Sequence, residues 1–75
     1  MFIYPVLSRA FMRVFIERQS KWLDLDFSGP AIDLVKKLNL NIEEVIISRN
    51  NEIVTEDTVL SNGDTVKLLS VLSGG

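Results

Sequence analysis

Residues 12–18, MRVFIER, set Met12, Val14 and Ile16 against Arg13, Phe15 and Glu17. That period of two marks a strand with one buried face. After a polar turn at residues 19–21, WLDLDF alternates again, with Leu23, Leu25 and Phe27 opposite Trp22, Asp24 and Asp26. Two alternating runs joined by a short polar link predict an antiparallel hairpin. The period then changes. In SGPAIDLVKKLNL, Ala31, Leu34, Val35 and Leu38 fall at i, i+3, i+4 and i+7, the apolar stripe of an amphipathic helix. The helix is expected over residues 30–38. Ser28 is its expected N-cap, Pro30 suits the first turn, and Asp33 complements the positive end of the dipole. Lys36 and Lys37 favour the other end, and Asn39 suits the left-handed position that closes a helix.

Past the connector NIEE, VIISR predicts a short strand, Asn50-Asn51 a turn with positive φ, and EIV the partner strand. TEDTVLSNGD is too polar and turn-rich for a strand. It is expected to cross the sheet end as a loop with a short turn of helix, closing at Asn62-Gly63. Residues 65–72, TVKLLSVL, predict the last strand, with Val66 and Leu68 inward and Lys67, Leu69 and Val71 outward. The resulting order is β-β-α-β-β-β. The compact arrangement places the first and last strands parallel at the sheet centre, with the helix across one face. The predicted core is Val14, Ile16, Leu23, Leu25, Leu34, Val35, Leu38, Val66 and Leu68. Residues 12–72 form the domain, residues 1–11 an N-terminal extension and residues 73–75 a tail.

Composition narrows the function. Seventy-five residues allow one domain, and 47% hydrophobic content argues for a packed core over disorder. A net charge of −2 disfavours a nucleic-acid binder, whose affinity rests on a basic footprint. The absence of cysteine rules out disulfides and thiolate zinc sites, and the absence of histidine removes the commonest general base. The chain is therefore expected not to be an enzyme, and to hold no metal and no cofactor. Its apolar start, MFIYPVLSRAFMRVFI, is interrupted by Pro5, Arg9 and Arg13, well short of the ~18 residues of a spanning helix. The charges follow the apolar part, unlike a signal peptide. A cytoplasmic protein with no membrane association is expected.

Gly74 and Gly75 are half of the four glycines. At about 7% per position, such a pair arises by chance in about 0.5% of chains. The alternatives are a frayed end and a terminal carboxylate kept reachable by residues without Cβ.

With this order of elements, the turn Asn62-Gly63-Asp64 and the ending LSVLSGG, residues 12–75 resemble the ubiquitin-like β-grasp sulfur carriers. These include the thiamin-pathway carrier, the small subunit of molybdopterin synthase, the ubiquitin-related modifiers and the carriers serving tRNA 2-thiolation. The ending LLSVLSGG is most similar to the last group. The resemblance implies an α+β, ubiquitin-like β-grasp fold: a mixed four- to five-stranded sheet with one helix packed across it. It also implies that the Gly75 carboxylate is adenylylated by a ubiquitin-activating-type adenylyltransferase, which uses the ATP. Conversion to a thiocarboxylate would follow, for sulfur donation to tRNA 2-thiouridine synthesis. Thiamin or molybdopterin synthesis, or conjugation through Gly75 to protein lysines, are the alternatives. The second partner implied is a sulfur-transfer or tRNA-thiolating enzyme. The carrier itself would be a monomer that binds no nucleic acid. Gly74 would let the tail lie in a narrow channel, with Ser73 and Leu72 completing it. Leu72 is either the last strand residue or an anchor for the tail.

Alternation also predicts a docking face. If Val14, Ile16, Val66 and Leu68 face the helix, Phe15, Leu69 and Val71 share the open side, edged by Arg13 and Lys67. An apolar patch of this kind marks a partner surface, unless the N-terminal extension or a second copy covers it. Trp22 either joins that interface or lies under the extension. Asp24 and Asp26, Lys36 and Lys37, and Glu56 and Asp57 read as solvated surface residues.

Overall fold

The structure, a computed structural model, describes residues 11–71. Its strands are β1 (Met12–Ile16), β2 (Lys21–Leu25), β3 (Gly29–Pro30), β4 (Val45–Arg49), β5 (Glu52–Val54), β6 (Val59–Leu60) and β7 (Thr65–Ser70). One α-helix, α1 (Ala31–Lys37), follows β3. Five strands form one sheet in the order β2-β1-β7-β4-β5, and β3 and β6 form a separate two-residue ladder. The central pair β1/β7 is parallel, with Val14 opposite Val66 and Ile16 opposite Leu68. The other pairs are antiparallel. This is the α+β, ubiquitin-like β-grasp arrangement, with five strands in its mixed sheet.

The helix-facing side of the sheet holds the core. Met12, Val14, Ile16, Ile47, Val66 and Leu68 close on Ala31, Leu34 and Val35 of α1, with Leu60 beside them. Leu23, Leu25 and Leu38 belong to the same cluster but are only partly buried, because β2 is an edge strand and Leu38 is the helix C-cap. Met12, Ala31, Ile47 and Leu60 complete a core that alternation around the central strands had only partly outlined.

Several boundaries differ from expectation for identifiable reasons. β1 stops at Ile16, because Glu17–Gln19 tighten into a 3₁₀ turn closed by Ser20 at φ 48°. Ser28 does not cap the helix. Pro30 is the N-cap, and it makes no side-chain capping bond. The amides of Ala31 and Ile32 instead donate to the carbonyls of Thr58 (2.8 Å) and Glu56 (2.8 Å), so a distant turn satisfies the helix's orphan donors. The same turn explains why residues 55–64 are not wholly loop. Val59–Leu60 pair with Gly29–Pro30, which carries Leu60 into the core with no exposed surface. Residues 55–58 form a turn, not helix, closed by the Thr58 amide on the Thr55 carbonyl.

The helix ends as its sequence suggests. Asn39 takes φ 63°, and the amides of Asn39 and Leu40 donate to the Lys36 and Val35 carbonyls at 3.0 Å each. That pairing is the Schellman closure. Asn50 and Asn51 both have positive φ between β4 and β5, the two-residue hairpin geometry that asparagine tolerates. The last strand ends at Ser70. The expected run to Leu72 is therefore too long: Val71 is already a bend, its amide held by the Glu44 carbonyl at 3.1 Å, and Leu72 lies outside the described residues.

Candidate functional site

The face of the sheet turned away from α1 carries a band of apolar side chains. Across its middle, strand register aligns Trp22, Phe15, Lys67, Ser48 and Ile53. Nearer the C-terminal end of β7, Leu69 pairs with Ile46, and Val71 follows in a bend just past the strand. Of the five residues expected there, Arg13, Phe15, Lys67 and Leu69 share this face by strand register, and Val71 is 39% exposed in the bend just past β7. Arg13 lies at the end remote from the tail and Val71 at the near end, so the patch runs along β7 rather than across it.

Sequence reasoning missed part of the band. Ile46 and Ile53 are 38% and 63% exposed. The signal was present: Ile46 and Ile47 are adjacent apolar residues on a strand, so they must point to opposite faces. Trp22 is half exposed, with its ring 5.0 Å from that of Phe15 at a tilt of 45°. The Arg13 guanidinium stands 5.5 Å over the indole while its Nε lies 3.7 Å from Asp24. Arg13 therefore borders the band and orients its largest side chain, through a contact within cation–π range. Ser48 is buried between Lys67 and Ile53 in the row.

The chain leaves β7 through a built exit. The Ser70 amide donates to the Glu17 carboxylate at 2.7 Å, and the Val71 amide to the Glu44 carbonyl at 3.1 Å. Arg18 Nη2 lies 3.1 Å from Glu44 Oε1. A hollow of about 10 Å³ beside this exit is lined by Ile16, Arg18, Leu40, Asn41, Glu44, Val45, Leu68 and Ser70. It has room for about one water and is far below the ~300 Å³ of a small-molecule site. Leu72, Ser73, Gly74 and Gly75, the expected tail residues, lie outside the described residues, as does the N-terminal extension up to residue 10.

The turn before β7 has a structural task at the opposite end of that strand. The Asn62 side chain accepts from the Phe27 amide at 3.0 Å and donates to Asp26 at 2.8 Å, tying the end of β2 down. Gly63 holds φ 97°, a region costly for residues with Cβ. Asp64 accepts from the Ser61 amide at 3.0 Å and from the Asn50 side chain at 3.2 Å. Asp26, expected to be merely solvated, is therefore a latch residue.

Among the described residues, no group of three or more His, Asp or Glu side chains could hold a metal, and no helix is long and apolar enough to cross a membrane. The fold with its open apolar face defines a ubiquitin-like β-grasp domain. Residues 16–75 match the ThiS family, and the chain belongs to that family of small sulfur carriers. Carriers of this family are not catalysts themselves; they work with activating and sulfur-transfer enzymes. The match extends through both terminal glycines.

Proposed function

We propose that the chain carries sulfur on the carboxyl group of Gly75, most directly for tRNA 2-thiouridine synthesis. The observation carrying this reading is that the family match runs through Gly75, five residues along the sequence from the end of a strand whose exit is held on both sides. A carboxylate is a poor acyl donor, because its leaving group would be an oxide. Attack of a Gly75 oxygen on the α-phosphorus of ATP, with departure of pyrophosphate, would give an acyl adenylate. Hydrosulfide delivered by a partner would then form a C–S bond as the C–O bond to AMP breaks, leaving a thiocarboxylate, AMP and a proton. These steps need no histidine or cysteine on the carrier. The adenylylating enzyme would dock on Phe15, Leu69 and Val71, with Arg13 and Lys67 at the edge. Gly74, Ser73 and Leu72 would thread its channel. The similarity of LLSVLSGG to tRNA-thiolation carriers favours tRNA over thiamin or molybdopterin as the destination.

Deleting Gly75 tests the chemistry. It withdraws the carboxylate by about 3.3–3.6 Å of extended chain, more than the ~3–3.5 Å over which reacting atoms must meet. ATP–pyrophosphate exchange with the cognate activating enzyme should be lost, with an unchanged melting curve. Exchange at the full-length rate would refute the carrier reading. Intact mass from the native cells distinguishes the roles: an oxygen-to-sulfur gain marks a carrier, and larger adducts mark a protein modifier.

A further inference from the structure

We propose that Glu17 is a positioning residue that aims the C-terminal tail, acting with Arg18 and Glu44 as a clamp on the end of β7. This rests on the reading of Gly75 as the activated group and goes beyond it by assigning the side chains that direct it.

β1 and β7 run parallel, but β1 ends opposite Leu68 and bends into its 3₁₀ turn. Two residues further along β7, the Glu17 carboxylate replaces a strand carbonyl and accepts from the Ser70 amide at 2.7 Å. The next amide, of Val71, points to the other side and donates to the Glu44 carbonyl at 3.1 Å. Successive amides held from opposite sides fix the orientation of the peptide between them. The Arg18–Glu44 contact at 3.1 Å joins the turn after β1 to the turn before β4, so both halves of the clamp are linked.

Reach makes this matter. With Gly75 as the activated group, four residues carry the chain from Val71 to that group, a span of at most about 14 Å. A swing of about 30° at the base displaces the tip by about 7 Å, twice the contact distance that a reaction requires. Holding the base removes much of that search before the partner's channel is entered. The carboxylate is suited to this position, because a charged acceptor makes a stronger bond to an amide than a neutral one.

The experiment compares wild type, Glu17→Ala, Glu17→Gln and the Gly75 deletion in ATP–pyrophosphate exchange with the cognate activating enzyme. Amide hydrogen exchange at Ser70 and melting curves accompany it. Glu17→Ala should lower kcat about 3- to 10-fold, the range expected for losing one charge-assisted bond at an exposed site. KM for the carrier should stay within about twofold, because the docking face is intact. Glu17→Gln, which keeps an acceptor oxygen, should recover most of the rate. Ser70 protection should fall in the Ala variant while the melting temperature holds. A Glu17→Ala kcat equal to wild type, with the Gly75 deletion inactive, overturns the clamp and leaves the Gly75 chemistry standing. An active Gly75 deletion overturns that chemistry instead. Unchanged Ser70 protection in Glu17→Ala overturns the clamp in either case.

Discussion

The two faces of the five-stranded sheet are built from the same strands by the same alternation, yet they end in opposite states. On the helix side, Val14, Ile16, Val66 and Leu68 are at most 3% exposed, closed over by α1 and Leu60. On the open side, Trp22, Ile46 and Ile53 are 38–63% exposed, although a β-sheet's solvent face is ordinarily polar. Apolar side chains on one face are satisfied within the chain. On the other they have no cover among the described residues. On the docking reading proposed above, burial there belongs to association rather than folding, so substitutions on the two faces should separate stability from binding.

The largest expected effect lies on the closed side. Leu34 of α1 has no exposed surface, and Leu34→Ala removes its side chain from a packed core. Such truncations cost about 2–5 kcal/mol, a large share of the ~5–15 kcal/mol that stabilises a typical domain. Chemical denaturation should show that loss directly. An Ala variant as stable as wild type would mean that α1 does not close the core.

Next in size is the reverse result on the open side. Phe15→Asp with Leu69→Asp places two carboxylates on the band, where a docked partner would bury them unpaired. Affinity for the adenylylating enzyme should fall at least about 100-fold, or about 2.8 kcal/mol, while the protein still folds cooperatively. Wild-type affinity in a folded double variant would move the docking site off this face. Together the two experiments break the comparison if either face responds in the other's currency.

How much of this was legible in the sequence depended on whether a signal was local. The strands β1, β2, β4, β5 and β7, the helix stripe, the Asn39 closure and the Asn-Asn turn follow from periodicity and backbone preference within a few residues. The β3/β6 ladder did not, because two residues carry no period. Its partners are also separated by the whole of α1, β4 and β5. The helix start was misplaced for the same reason: its caps are carbonyls of Glu56 and Thr58, which no residue near Ser28 encodes. The open face was half legible. Phe15, Leu69 and the outward side of Trp22 follow from alternation, but joining Trp22, Ile46 and Ile53 to them in one band needs the strand order. The Glu17 bond to Ser70 spans 53 residues of sequence and lies beyond any local rule.

The smallest expected effects locate the centre of the open face. Trp22 on β2 and Ile53 on β5 occupy opposite ends of the middle row, each two strands from β7, about 10 Å away. Distance from the tail-bearing strand therefore does not distinguish them, but chemistry does. Trp22 presents a large ring against Phe15 under the Arg13 guanidinium, and aromatic residues of this kind dominate binding energy at interfaces. Ile53 stands on an edge strand with most of its surface free. Trp22→Ala should weaken binding of the adenylylating enzyme about tenfold, and Ile53→Thr about twofold at most, with little change in melting temperature for Ile53→Thr. Titration of each variant against the enzyme gives the ranking. The reverse order would place the partner over β4 and β5, with Ile46 rather than Phe15 at its centre, and would leave the Arg13–Trp22 stack as a surface contact of the free domain.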